Sequence, residues 1–170
     1  KKQGRLSLNP AVHIDPIGLL MVVLVGFGYA KPVPTNPLNF KSRYADLVIA
    51  AAGPAMNLLL AIISINFYVL SVSNGLIDIN SSGPRLFFIY LAQINILLMV
   101  FNLLPIGPLD GHYILPYFLP KKLAVMYRFF NNRYGNIALL ALVAFAMLGI
   151  PIFSTIIGIS NQILPRLVFF

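Results

Sequence analysis

Three apolar runs, each long enough to cross a lipid bilayer, settle what solvent this chain folds in. They are DLVIAAAGPAMNLLLAIISINFYVLSVS (Asp46–Ser73), Leu86–Leu104 and Ile137–Ser160. As helices rising about 1.5 Å per residue, each reaches roughly the 30 Å of a bilayer's hydrocarbon core. Lipid offers no hydrogen bonds to the backbone, so a chain that crosses it repeatedly does so as helices that satisfy their own polar groups. Composition agrees: the chain is 59% hydrophobic and 9% charged, whereas soluble domains carry about a quarter charged residues. The expected fold is an all-α integral membrane protein, a polytopic helical bundle forming one membrane domain over residues 1–170. A fourth apolar run, Ile17–Ala30, would span only about 21 Å and is expected to be a short re-entrant or buried segment. Ahead of it, GRLSLNPAVHID alternates loosely around a turn at Asn9–Pro10, which predicts a small β-hairpin at the membrane surface within residues 1–16. Prolines at 32, 34 and 37 make the following stretch extended rather than helical.

Charge sets the orientation. Twelve Lys and Arg against four acidic residues give a net charge of +8. These cations lie in short loops beside apolar runs, which is the pattern of cytoplasmic loops and not of a nucleic-acid interface. Lys31, Lys41 and Arg43 precede the first span, and Lys121, Lys122, Arg128 and Arg133 follow the second, whereas the loop between them holds only Asp78 and Arg85. The basic loops therefore face the cytoplasm of a multi-pass plasma-membrane protein. No cysteine is present, which excludes disulfides and thiolate-built metal sites.

FNLLPIGPLDGHYIL, Phe101–Leu115, carries the one stretch with evident chemistry. The second span runs into Pro105, Gly107 and Pro108, which stop a helix, and then reaches Asp110. An irregular backbone at membrane depth survives only where protein or a water-filled cavity covers it. An ionisable group there marks a functional site or a paired charge by default. A broken helix at 105–111 carrying Asp110 is thus a candidate metal or ion site; the alternative is that Asp110 caps the helix beginning near His112. Asn102, at the end of the span, either ties the break down or donates a hydrogen bond to a substrate carbonyl. Asn57 lies in the small-residue stretch AAAGPAMN, where it either glues helices together or serves as a substrate-binding amide. His13 and His112 are the only histidines. With Asp110 they would complete a two-histidine, one-carboxylate set, but nothing in the spacing brings them together.

Taken in order, GRLSLNPAVHIDPIG, GFGYAKPVPTNPLNF, AAAGPAMNLLLA and FNLLPIGPLDGHYIL resemble the compact bacterial branch of the site-2 protease family, the intramembrane zinc metalloproteases. The resemblance covers Gly4 to about Leu115. It implies that Asp110 of Leu-Asp-Gly is a zinc ligand and that Asn102 has an oxyanion or substrate-ordering role. It also implies a zinc endopeptidase acting on transmembrane protein or peptide substrates in the bilayer. Gly107 stands where the family often has proline. The family's His-Glu-x-x-His motif, which supplies two zinc ligands and the general base, is missing: the chain contains no glutamate. In the family that motif lies on the helix just before GRL-x-LNP. The expectation is therefore a truncated protease chain that lacks two zinc ligands and the base, and that is inactive alone. The alternative is a pseudoprotease or membrane adaptor that binds membrane proteins without cutting them.

Overall fold

The computed structural model describes Ser42 and residues 44–169, within a unit running from Ser42 to Phe170. The expected hairpin in residues 1–16 and the short apolar segment 17–30 lie outside the described residues, as does His13.

Every regular element among the described residues is helical. α1 (Ala45–Ser73) occupies the first apolar run and holds Pro54 inside it. Proline has no N–H to donate, so the Ala50 carbonyl loses its partner one turn ahead. α1 ends where the Asn74 side chain donates to the Leu70 carbonyl at 2.7 Å. A turn built on Asp78, whose carboxylate accepts the Asn80 N–H at 2.9 Å, leads into α2 (Ser82–Asn102). α2 starts four residues before the sequence run at Leu86 because Pro84 sits in its first turn, where helix N–H groups are unpaired anyway.

α1 and α2 pack antiparallel. Their shared core is Ala61, Ile65, Ala92 and Ile96, with exposures of 0, 6, 0 and 0%. Small alanines at the crossing let the backbones approach, as in helix pairs held together in lipid. Beside them the Ser64 hydroxyl donates to the Phe88 carbonyl at 3.1 Å. The buried polar side chains here answer to helix carbonyls, so none is left unpaired by its burial. Asn95 donates to Leu91 O (2.8 Å) and Ser160 to Gln93 O (3.2 Å). Both helices are long and apolar enough to cross a membrane, with mean hydropathies of 2.1 and 1.7. Their outward faces carry Val48, Ile63, Phe67, Phe87 and Ile94, all at least half exposed.

After α2 the chain turns through residues 103–109 into α3 (Asp110–Ile114) and a 3-10 turn at Leu115–Tyr117. α4 (Lys121–Met147) follows. Gly149, in the left-handed region at φ +92°, and Pro151 then separate α4 from α5 (Ile152–Ile163). Ile137–Ser160 is therefore not one unbroken helix. α5 lies on α2, where the Gln93 amide donates to Asn161 Oδ1 at 2.9 Å. The chain then returns to α1: Asn66 donates to Leu167 O (2.7 Å) and accepts from Phe169 N–H (2.8 Å). Gly158 of α5 faces open space, with nothing within 4 Å of where a Cβ would stand. Gly158→Ala is expected to raise stability by about 0.5–1 kcal/mol through helix propensity alone, read as a higher midpoint of thermal unfolding in detergent.

Candidate active site around Asp110

The break after α2 is built from residues that refuse a helix. Pro105 and Pro108 have no N–H, and Gly107 takes φ +62°, a conformation open to glycine at no steric cost. Only short turns remain inside it: Ile106 N–H to Leu104 O (2.9 Å) and Leu109 N–H to Ile106 O (3.3 Å). The chain is extended at Leu109 (ψ 156°), which is the N-cap of α3; Asp110 is the first helical residue, and no side chain caps this helix. The helix-cap reading of Asp110 is thereby corrected. Its carboxylate is not turned back onto the N–H groups of its own helix.

The carboxylate is instead turned toward α1. An atom placed at the Cβ position of Gly53 would stand 2.9 Å from Asp110 Oδ2, so the glycine is what admits the carboxylate to that face. Asn57 lies one turn further along α1 on the same side as Gly53 and is half-buried. α3 is seated just as closely on the turn that leaves α2. A Cβ on Gly111 would collide with the Leu103 and Leu104 carbonyl oxygens. Asn102, half-buried, is the last residue of α2, at the point where the break begins. The structure thus sets Asp110 against the Gly53–Asn57 face of α1 and leaves Asn102 across the turn. Asp110 itself is half-buried, and no hydrogen bond or ion pair to it is found among the described residues. A partly desolvated carboxylate without a partner is an expensive group to keep.

His112 belongs elsewhere. It is 6% exposed and turned toward α4, where it lines a cavity with Arg128 and Asn132. Its ring lies 4.8 Å from Tyr113 and 5.6 Å from Tyr127. Nδ1 has no hydrogen-bond partner. Desolvation lowers its pKa from 6.5, and the nearby Arg128 guanidinium lowers it further, against the raising effect of Asn132. A cavity of about 150 Å³ lies between Asp46, His112, Tyr113, Arg128 and Asn132. No group of three His, Cys, Asp or Glu that could hold a metal occurs among the described residues, and His13 of the two-histidine, one-carboxylate set lies outside them.

Three residues of α4 that sequence reading passed over also meet the break. The Tyr127 hydroxyl donates to the Pro105 carbonyl at 2.9 Å. The Asn131 amide donates to Gly107 O (3.0 Å) and accepts from Gly107 N–H (3.1 Å). Gly135 is so close to Gly107 that a Cβ on it would lie 2.8 Å from the Gly107 Cα. The signal in the sequence is faint: a Tyr-Asn-Gly stripe at four-residue spacing, which shares one helix face but does not say what that face meets.

Residues 68–149, from late α1 to the end of α4, match the family model described as Peptidase family M50. "Putative zinc metalloprotease YwhC" of Bacillus subtilis (strain 168) is 43% identical over 123 residues, which make up 71% of this chain and 56% of that protein. The chain thus spans little more than half the length of the relative it matches. No solved structure matches it.

Proposed function

Because this chain belongs to peptidase family M50, the site-2 protease family, we propose that it is the Asp110-bearing part of an intramembrane zinc endopeptidase cutting transmembrane protein segments. One observation supports this reading above the rest. Asp110 is a carboxylate without hydrogen bond or ion pair among the described residues, placed at a helix break and given room by Gly53. A metal ligand is the role that such a group fits.

The donor set is incomplete within these residues. A catalytic zinc takes three protein ligands and keeps a fourth position for water or substrate. The described residues offer Asp110 but no group of three His, Cys, Asp or Glu that could hold a metal. They do not make a zinc site by themselves. The two remaining ligands and the general base of the family's His-Glu-x-x-His motif would come from protein beyond this chain. What these residues would contribute is position. Gly53 and Gly111 let α1, α3 and the turn after α2 close around one carboxylate. Asn102, at the mouth of the break, is suited to donate to a substrate carbonyl or the oxyanion formed from it, and Asn57 to hold a substrate strand beside Asp110.

Purified alone, the 170 residues should release no peptide from a transmembrane substrate, with or without added zinc, because the chain has no glutamate to act as base. Chelator-sensitive cleavage by this form would refute the assignment of the base to protein outside it. If the full native protein also fails to cleave but still binds membrane substrates, the adaptor reading replaces the protease.

Orientation can be tested on the same chain, which has no cysteine of its own. The basic loops are assigned to the cytoplasm and the turn between α1 and α2 to the outside. In intact cells, Asn80→Cys should react with a membrane-impermeant maleimide, and Lys122→Cys only after lysis. The reverse pattern would invert the topology.

A further inference from the structure

The break between α2 and α3 leaves backbone groups that a regular helix would have paired internally. Gly107 is the clearest case: its N–H and its C=O have no backbone partner among the described residues, and the single side chain of Asn131 serves both. One turn earlier on α4, Tyr127 holds the Pro105 carbonyl. One turn later, Gly135 lies against Gly107. Residues 127, 131 and 135 fall on one face of a helix, so α4 meets the break as a rail at three successive turns. α4 buries little else: Gly135 is its one buried residue.

We propose that Asn131, supported by Tyr127 and Gly135, is a positioning residue. It fixes the 105–109 segment from the side of α4 and thereby sets where Asp110 stands against Gly53. Among the described residues Asn131 has its hydrogen bonds to Gly107 and none to Asp110. Its influence passes through the backbone from Gly107 to Asp110, which is held on its other side by the seat of Gly111 on the Leu103 and Leu104 carbonyls. With both sides fixed, the carboxylate has one place to stand. With the α4 side released, residues 105–109 retain only their two short turns, and the segment opens locally without the α1–α2 core unfolding. The inference rests on the reading of Asp110 as the functional carboxylate, but its test does not depend on that reading.

The native absence of cysteine makes a single introduced thiol a position sensor. In the full protein in its membrane, the labelling rate of Asp110→Cys by a water-soluble maleimide would be compared with and without Asn131→Ala. Losing two hydrogen bonds to one residue should raise that rate about tenfold or more, and Tyr127→Phe should raise it less. Ala61→Cys, in the fully buried α1–α2 core, should stay unlabelled in every background. In the protein that retains Asp110, Asn131→Ala should lower kcat and leave KM nearly unchanged. An unchanged rate at position 110, or an equal rise at positions 110 and 61, would overturn the proposal; the second result would reduce Asn131 to general stability. Where Asn131→Ala does not accumulate, Tyr127→Phe carries the same comparison. If Asp110 is not functional, Asp110→Asn leaves cleavage intact while the labelling result still stands, so the two failures are distinguishable.

Discussion

Asp110→Asn in the full-length protein should abolish cleavage of a transmembrane substrate, by about 10³-fold or more, while the protein remains folded. The substitution keeps size and shape and removes only the negative charge and one acceptor oxygen. If the carboxylate holds an active-site metal, several kcal/mol of transition-state stabilisation go with it, and each 1.36 kcal/mol is tenfold in rate. Stability of the 170-residue chain should move in the opposite direction, or not at all. There Asp110 has neither hydrogen bond nor ion pair among the described residues, and a partly buried unpaired charge is destabilising. A carboxylate with a purely structural role predicts the reverse pattern: lost stability with activity falling only as folded protein falls. Unfolding midpoints of the chain and initial cleavage rates of the full protein separate the two.

Gly53→Ala is expected to have the next largest effect. A methyl group there would stand 2.9 Å from Asp110 Oδ2, closer than real Cβ contacts come. Either the carboxylate or α1 must shift. Misplacing a catalytic group by about 1 Å can slow a reaction by about 10², so a loss of that order in kcat is expected. The folding penalty should be small, because overpacking of about 1–3 kcal/mol is partly offset by the gain of about 0.5–1 kcal/mol from replacing a helical glycine. Gly158→Ala, the same chemical change at an open position on α5, is the control and should leave cleavage untouched. A double-mutant cycle sharpens the test. With Asp110→Ala the obstruction is gone, and Gly53→Ala should become stabilising, because contacting residues do not add independently. Additivity at these two positions would mean that the carboxylate does not stand where the structure places it.

Much of this could be read before the structure, and the physical reason differs from element to element. Asp110 was legible because a charge is costly in an apolar setting and proline and glycine stop a helix in any setting. Asn102 and Asp110 together carried a family pattern whose membership the M50 match supports. The apolar run Ile137–Ser160 reads as one span, and Gly149 and Pro151 within it are where the structure parts α4 from α5. Nothing in the small-residue stretch AAAGPAMN marked Gly53 as the residue that makes room for Asp110, since a glycine's sequence neighbours do not reveal that a carboxylate 57 positions away needs its space. The α4 stripe was less visible still. Tyr127, Asn131 and Gly135 are unlike in chemistry and share only a helix face, and their partners are backbone atoms, which leave no trace in residue identity. His112 shows the opposite hazard. Two residues from Asp110 and one of two histidines, it invites a ligand role, yet it is turned to Asn132 and α4.

Asp110 is proposed as one ligand of a zinc site that other protein completes. Native mass spectrometry of the protein extracted from its own membrane, with peptide sequencing of the same sample, tests it in one measurement. The account predicts an assembly heavier than the 18.8 kDa of this chain, containing a His-Glu-x-x-His peptide and one bound zinc. An 18.8 kDa species with no such peptide, no partner chain and no zinc would contradict it and leave a membrane-binding protein built on a protease's frame.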